Sequence, residues 1–395
     1  MNAPFSRAER SVLSDWWFTV DRVLLASILT LATVGVVVSL AASPSVAIDK
    51  GLPAFYFVER HIVFAASAVV VMLAVSLMSP RTVRRLALAL FLAAVALMVF
   101  VLVHGDVING SRRWIRLLGY SFQPSEIGKP AFVILSAWAF AEAQRRSDVP
   151  ALPVAIGLLV VFAGLLALQP DVGQAVLVGL VWVALFVLAG LSATWALALC
   201  GVAVAAIGLS YVSLDYVRNR IDAFLAGDYS ATSQVGRAYR SFVEGGLFGR
   251  GPGEGTIKTQ LPDAHTDFIF AVIAEEYGVI ACLGLLILMA VIVFRALGRS
   301  VSVQDLAVRY GIAGLALLFG GQALINMGVN VGLLPAKGMT LPMISAGGSS
   351  MLGIALTLGM LLALSRARPE RRPYRSHADA GLFAGGSATD GVGGE

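Results

Sequence analysis

Charge is scarce in this sequence. Of 395 residues, 29 are basic and 24 acidic, so charged side chains make up 13%, where an ordinary soluble domain carries about 25%. Most of them stand in short clusters between long uncharged runs, which excludes a soluble globular enzyme, a disordered chain and a coiled coil. Cysteine is almost missing. Cys200 and Cys282 lie in apolar runs without CxxC spacing, which excludes a disulfide framework. The four histidines, His61, His104, His265 and His377, form no HxxxH or HExxH pair, and no zinc site is legible. The G-x-x-x-x-G-K-[ST] phosphate loop is also lacking, which leaves an ATP-driven pump without support. What is abundant is apolar, at 58%. The chain reads as an all-α polytopic membrane protein.

A helix needs about 20 apolar residues to cross ~30 Å of hydrocarbon. Ten stretches qualify, near residues 23–43, 61–79, 85–104, 126–143, 151–169, 172–189, 193–214, 267–294, 306–330 and 343–365. The uncharged stretch 172–214 would reach about 65 Å as one helix, so it divides into two spans hinged near Gly190–Thr194. The first apolar run is too long for the ~7–15-residue core of a secretory signal and is expected to be a retained span. Residues 1–22 then form an N-terminal segment, 23–365 the ten-span domain, and 366–395 a basic and then disordered tail.

Orientation follows from the basic residues. Arg81, Arg84 and Arg85, then Arg145 and Arg146, Arg295 and Arg299, and the arginines from Arg366 to Arg375 mark one side. That side is expected to be the cytoplasm, with both termini on it. A large loop at 215–266, between spans 7 and 8, would lie outside and carries Arg218, Arg220, Arg237, Arg240, Arg250 and Lys258. Arg112, Arg113, Arg116 and Lys129 cluster on the same outer side, which implies an anionic partner, most simply a lipid phosphate or diphosphate.

Ionisable residues at membrane depth are costly and are functional candidates by default. Glu126 and Lys129 stand at i, i+3 behind Pro124, which can open a helix. Asp171 in Gln169-Pro170-Asp171 is either a helix N-cap or a cavity residue. Asp267 begins a span just after His265 and Thr266, and Glu275 lies about 12 Å further along that helix. A carboxylate at a span mouth under an arginine-rich loop has the chemistry of a general base for a hydroxyl nucleophile. The stretch 333–350 holds Pro335, Pro342 and Lys337 with several glycines, so it cannot be a regular helix. Irregular backbone at that depth lines a cavity or is buried in protein.

Taken in order, these segments resemble the SEDS family (shape, elongation, division, sporulation) of peptidoglycan glycosyltransferases. The resemblance is carried by Gly110-Ser111-Arg112-Arg113-Trp114-Ile115, Gln123-Pro124-Ser125-Glu126 with Lys129, and Gln169-Pro170-Asp171 with Gly173. Gly245-Gly246-Leu247-Phe248-Gly249-Arg250-Gly251, His265-Thr266-Asp267 with Glu275-Glu276, and the Pro335-to-Ser350 run complete it. Ala264-His265-Thr266 and Pro335-Ala336-Lys337-Gly338 look more like the division branch than the elongation branch. Ala336 and Ala346 depart from residues common in the family and bear only on that branch assignment.

The resemblance implies polymerisation of lipid II into β-1,4-linked glycan on the periplasmic face of the bacterial inner membrane, at the division septum, with undecaprenyl diphosphate leaving. Asp267 matches the family's essential aspartate and is the expected catalytic base. Arg112, Arg113, Arg116, Glu126, Lys129, Asp171, Arg250, His265, Thr266, Lys337, Ser345 and Ser349 are the expected substrate-binding set. No dedicated metal or other cofactor site is expected, and a divalent cation, Mg or Mn, is left open as a contributor. The implied partners are a class B penicillin-binding protein, which supplies the transpeptidase, and other membrane proteins of the division machinery; nucleic acid is not among them. Two rivals stand beside the enzyme, a flippase of the same lipid and a non-catalytic division scaffold. The expected polar residues gather toward one half of the bilayer, whereas alternating access needs polar lining through both.

Overall fold

The structure, a computed structural model, describes residues 11–49, 51–108, 111–117, 120–146, 148–213, 215–227, 233–261, 263–335 and 338–367. The chain begins with α1 (Val12–Thr19), α2 (Arg22–Asp49), α3 (Tyr56–Ser76) and α4 (Pro80–His104). The strands β1 (Asp106–Ile108), β2 (Ser111–Leu117) and β3 (Tyr120–Phe122) follow. Then come α5 (Pro124–Arg145), α6 (Ala151–Leu168), α7 (Val172–Leu188), α8 (Ala193–Ser213), α9 (Asp215–Leu225) and α10 (Gln234–Gly245). A 3-10 turn (Ile257–Gln260) precedes α11 (Ile269–Val301), α12 (Leu306–Asn330) and α13 (Gly348–Ser365).

Local chemistry sets several of these ends. Pro80 and Pro124 stand at the first turns of α4 and α5, where a missing N–H costs nothing. The hydroxyl of Ser79 accepts from the Thr82 amide, and the Asp305 carboxylate accepts from the amides of Ala307 and Val308, satisfying donors that a helix start leaves without partners.

By length and composition, α2, α3, α4, α6, α11, α12 and α13 can each cross a membrane. Two of the other three expected spans differ from that simple pattern: in α5, Glu126 and Lys129 interrupt the apolar run, and α7 is short, at 17 residues. The third, α8, is uncharged over 21 residues. The expected hinge between α7 and α8 lies at Gly190, whose φ is +67°. The large expected loop between α8 and α11 holds α9, α10 and the 3-10 turn.

Within this mostly helical fold, the described residues between Asp106 and Phe122 add strands that the sequence did not lead one to expect. They form an antiparallel three-stranded sheet in the order β1-β2-β3, with Val107 opposite Arg112 and Arg116 opposite Ser121. In β2, side chains point to opposite faces in turn, which sets Arg112, Trp114 and Arg116 on one face and Arg113 and Ile115 on the other.

The bundle is centred on α5, α12 and α13, which are buried along most of their length. Around them, α4, α6 and α7 pack on α5, and α3 packs on α13. Lipid is as apolar as leucine, so close packing and polar ties, rather than the hydrophobic effect, hold such helices together. The centre is therefore where polar ties are to be sought.

Candidate functional site

Asp267 stands on a turn between the 3-10 element and α11, half-buried at the helix entrance. Its backbone carbonyl accepts N–H bonds from Asn326 and Asn330, each at 2.9 Å. Its carboxylate lies against Gly338: a β-carbon there would come within 3.2 Å of Asp267 Oδ2. Two irregular segments, 261–268 and 338–347, thus meet at Asp267. They are stitched together by the Ala346 amide donating to the His265 carbonyl at 2.9 Å and by the Ser345 hydroxyl donating to the Thr266 carbonyl while accepting from the Leu341 amide. Ser345 is therefore a clamp between the segments. His265 is buried with its ring 4.7 Å from that of Phe57, the Thr266 hydroxyl donates to the Asp263 carbonyl, and Ser349 is buried in the first turn of α13. Lys337 lies outside the described residues.

Glu126 and Lys129 form an ion pair at 2.9 Å in the middle of the bundle, 3% and 2% exposed. The Lys129 ammonium donates to Glu126, to Gln174 Oε1 and to Gln322 Oε1 at 2.9–3.0 Å. An ammonium has three donors, and this set occupies all of them, leaving none for a substrate oxygen in this arrangement. Gln174 returns a bond to Glu126 at 2.9 Å. Gln322 donates to the Thr340 carbonyl at 3.1 Å, which ties this buried cluster to the segment facing Asp267.

A third group joins the sheet to the bundle. Asp171 precedes α7, yet its side chain caps no backbone donor of that helix. It accepts from Gln123 Nε2 at 2.9 Å and pairs with Arg113 at 3.4 Å. Arg113 points to one face of β2, whereas Arg112 and Arg116, exposed, share the other. Trp114 stands between them, so β2 presents two cations and an indole on one face.

Arg250 is not with these groups. Its side chain pairs with Glu244 and donates to Thr256 Oγ1 at 2.9 Å, all within the loop before α11. Glu275 is fully buried and accepts the amides of Thr256, Ile257 and Lys258 at 2.6, 2.7 and 3.0 Å. Lys258 pairs with Glu276 and also donates to the Ala41 carbonyl at 3.1 Å. These residues secure a break in α11 at Gly278, where the backbone leaves the helical region. The freed carbonyls of Glu275 and Glu276 accept from the amides of Arg250 and Gly251, and the freed amides of Val279 and Ile280 donate to Gly246 and Leu247. The glycine-rich Gly245–Gly251 motif is thus a brace for a discontinuous helix.

Sequence reasoning missed Gln174, Gln322, Asn326 and Asn330, all of them buried. A signal was present: Gln322, Asn326 and Asn330 recur every four residues in an apolar run, which puts three amides along one helix face. Among the described residues, no three of His, Cys, Asp or Glu converge as ligands for a metal ion.

Residues 21–370 match the FtsW/RodA/SpoVE family of cell cycle proteins. A probable peptidoglycan glycosyltransferase FtsW of Caulobacter vibrioides is 45% identical over 366 residues, which is 92% of this chain and 94% of that protein. A protein of the same name from Trichlorobacter lovleyi is 35% identical over 87% of this chain and 93% of its own. Among solved structures, a chain from a peptidoglycan synthase complex that coordinates polymerization and crosslinking superposes with a TM-score of 0.72 at 28% identity, covering 88% of this chain and 98% of that one. The rod shape determining protein RodA of Thermus thermophilus superposes with a TM-score of 0.65 at 28% identity, over 89% and 99% of the two chains.

Proposed function

The chain belongs to the FtsW/RodA/SpoVE family of cell cycle proteins and is a peptidoglycan glycosyltransferase, and we propose that it polymerises lipid II with Asp267 as the general base. In this reading Asp267 takes the proton from the GlcNAc 4-hydroxyl of the acceptor as that oxygen bonds to the MurNAc anomeric carbon of the donor. The bond from that carbon to the phosphate oxygen breaks, and undecaprenyl diphosphate leaves with the electron pair.

One observation supports the choice of base above all. Glu126, Asp171, Glu275 and Glu276 are buried and bonded within the protein, whereas Asp267 keeps part of its surface at the junction of two irregular segments. A base must reach its proton donor, and burial closes the other four to a substrate hydroxyl. The diphosphate calls for cations as negative charge develops on it. Arg112 and Arg116 on the exposed face of β2 suit that task, and Lys337 joins them by its place in the sequence motif.

The reading extends to the membrane. We take α2 to α8 and α11 to α13 as ten spans, both termini as cytoplasmic and the segment between α8 and α11 as periplasmic, following the basic residues. The partner is a class B penicillin-binding protein, in line with the synthase complex this chain resembles, and the place is the inner membrane at the septum.

The test is glycan polymerisation from purified lipid II by the complex with that transpeptidase, with wild type beside Asp267→Ala and Asp267→Asn. Polymer and undecaprenyl diphosphate from wild type alone, with both variants folded and partner-bound, is the expected result. Normal polymerisation by the variants would reject Asp267 as base.

A further inference from the structure

We propose that Asn326 and Asn330 of α12 are positioning residues for Asp267, setting where its carboxylate points relative to the 338–340 segment; the inference rests on reading Asp267 as the base.

Asp267 has no regular structure of its own to fix its backbone. It sits two residues ahead of α11, and Phe268, at the cap position of that helix, makes no side-chain cap. A helix start leaves several N–H groups without partners, and the usual remedy is a polar side chain at the cap. Here the remedy comes from another helix. Asn330 Oδ1 accepts the Ala271 amide at 3.1 Å, while Asn330 Nδ2 donates to the Asp267 carbonyl. One amide side chain therefore holds both the residue carrying the carboxylate and the first turn of the helix behind it.

Asn326 supplies the other half. Its Nδ2 donates to the Asp267 carbonyl at 2.9 Å and to the Met339 carbonyl at 2.6 Å. Met339 adjoins Gly338, the residue against which the Asp267 carboxylate lies. The Asn326 amide thus bridges the two irregular segments that meet at Asp267. Asn330 Nδ2 also donates to the Asn326 carbonyl at 2.9 Å, which keeps the pair in register. Both asparagines sit on α12, at the buried centre of the bundle, and are themselves 2% and 0% exposed. A side chain held by a rigid, buried helix is better placed to fix a reacting group than one on a loop. The amide groups do not touch substrate in this account. They act through the backbone at Asp267, so their loss should slow turnover and leave the encounter with lipid II alone.

The experiment uses the complex with the partner transpeptidase and compares wild type, Asn326→Ala, Asn326→Ser, Asn330→Ala and Asp267→Ala. Read-outs are kcat and KM for lipid II and the thermal unfolding midpoint. Misplacing a reacting group by about 1 Å can cost ~100-fold. The expected result is therefore a kcat at least about tenfold lower for either alanine variant with KM near wild type, a loss larger than the lowered unfolding midpoint accounts for. Asn326→Ser keeps one donor and should recover part of the rate. Wild-type turnover by both alanine variants while Asp267→Ala is inactive would overturn the positioning role alone. So would a rate that falls only in step with the unfolding midpoint and is not recovered by serine. Full activity of Asp267→Ala would instead remove the base, and the positioning role with it.

Discussion

Gly249 and Gly278 meet backbone to backbone across the break in α11, both with left-handed φ, +80° and +79°. A β-carbon on Gly278 would run into the Leu247 carbonyl and sit 2.5 Å from the Gly249 amide nitrogen; one on Gly249 would run into the Glu276 carbonyl. The brace that holds the broken helix works because neither residue has a side chain. The short first part of α11, which follows Asp267, is thereby locked to the 245–251 loop.

Gly278→Ala should accordingly destabilise the protein. Strain from the left-handed backbone alone is worth about 1–3 kcal/mol, and the displaced loop adds to it. Gly284→Ala, on the same helix, is the control, since a β-carbon there meets nothing within 4 Å. Thermal unfolding in detergent should show a clear drop for the first and little change for the second. Equal midpoints would mean that the break is not braced in this way.

Lys129→Met leaves the Glu126 carboxylate buried without its counter-charge. Removing one partner of a buried pair costs about 3–5 kcal/mol, so yield and unfolding midpoint should both fall sharply. Pairing it with Glu126→Gln should recover part of the loss, because the stranded charge is then gone. A double-substitution cycle on the unfolding midpoint measures this coupling; strict additivity would contradict the direct pair.

Arg112→Ala and Arg116→Ala act on an exposed face, where a charge contributes modestly and salt screens it. Each should raise the KM for lipid II by roughly two- to fivefold, more at low salt than at high, with kcat little changed. Titrating lipid II at two ionic strengths distinguishes this from a structural effect, which would be indifferent to salt.

Arg250→Ala should be mild although it falls within a family motif. Its guanidinium pairs with Glu244 near the surface, and such pairs are worth about 1 kcal/mol or less. What the brace needs from this residue is its backbone amide, which alanine keeps. Polymerisation within about twofold of wild type is the expected outcome, in keeping with the small value of an exposed pair; a collapse of activity would place the side chain in the reaction.

The helical membrane class and the hinge near Gly190 were legible in the sequence, and Asp267, Glu126 and Lys129 stood out in it as candidates. All are local or one-dimensional properties: a run of apolar residues must be buried in lipid, and a charge within it must be explained. The strands between Asp106 and Phe122 were not legible: two of them are three residues long and Ser111 to Leu117 shows no period-two alternation. Only the tertiary structure decided what each polar residue touches. Lys129 and Gln322 are 193 positions apart, Asp267 and Asn330 are 63 apart, and no spacing rule reaches that far. The Gly245–Gly251 motif showed the same limit. Its glycines announced a special backbone, and only the packing against Gly278 revealed that their task is to take up the backbone hydrogen bonds that a break in a helix leaves open.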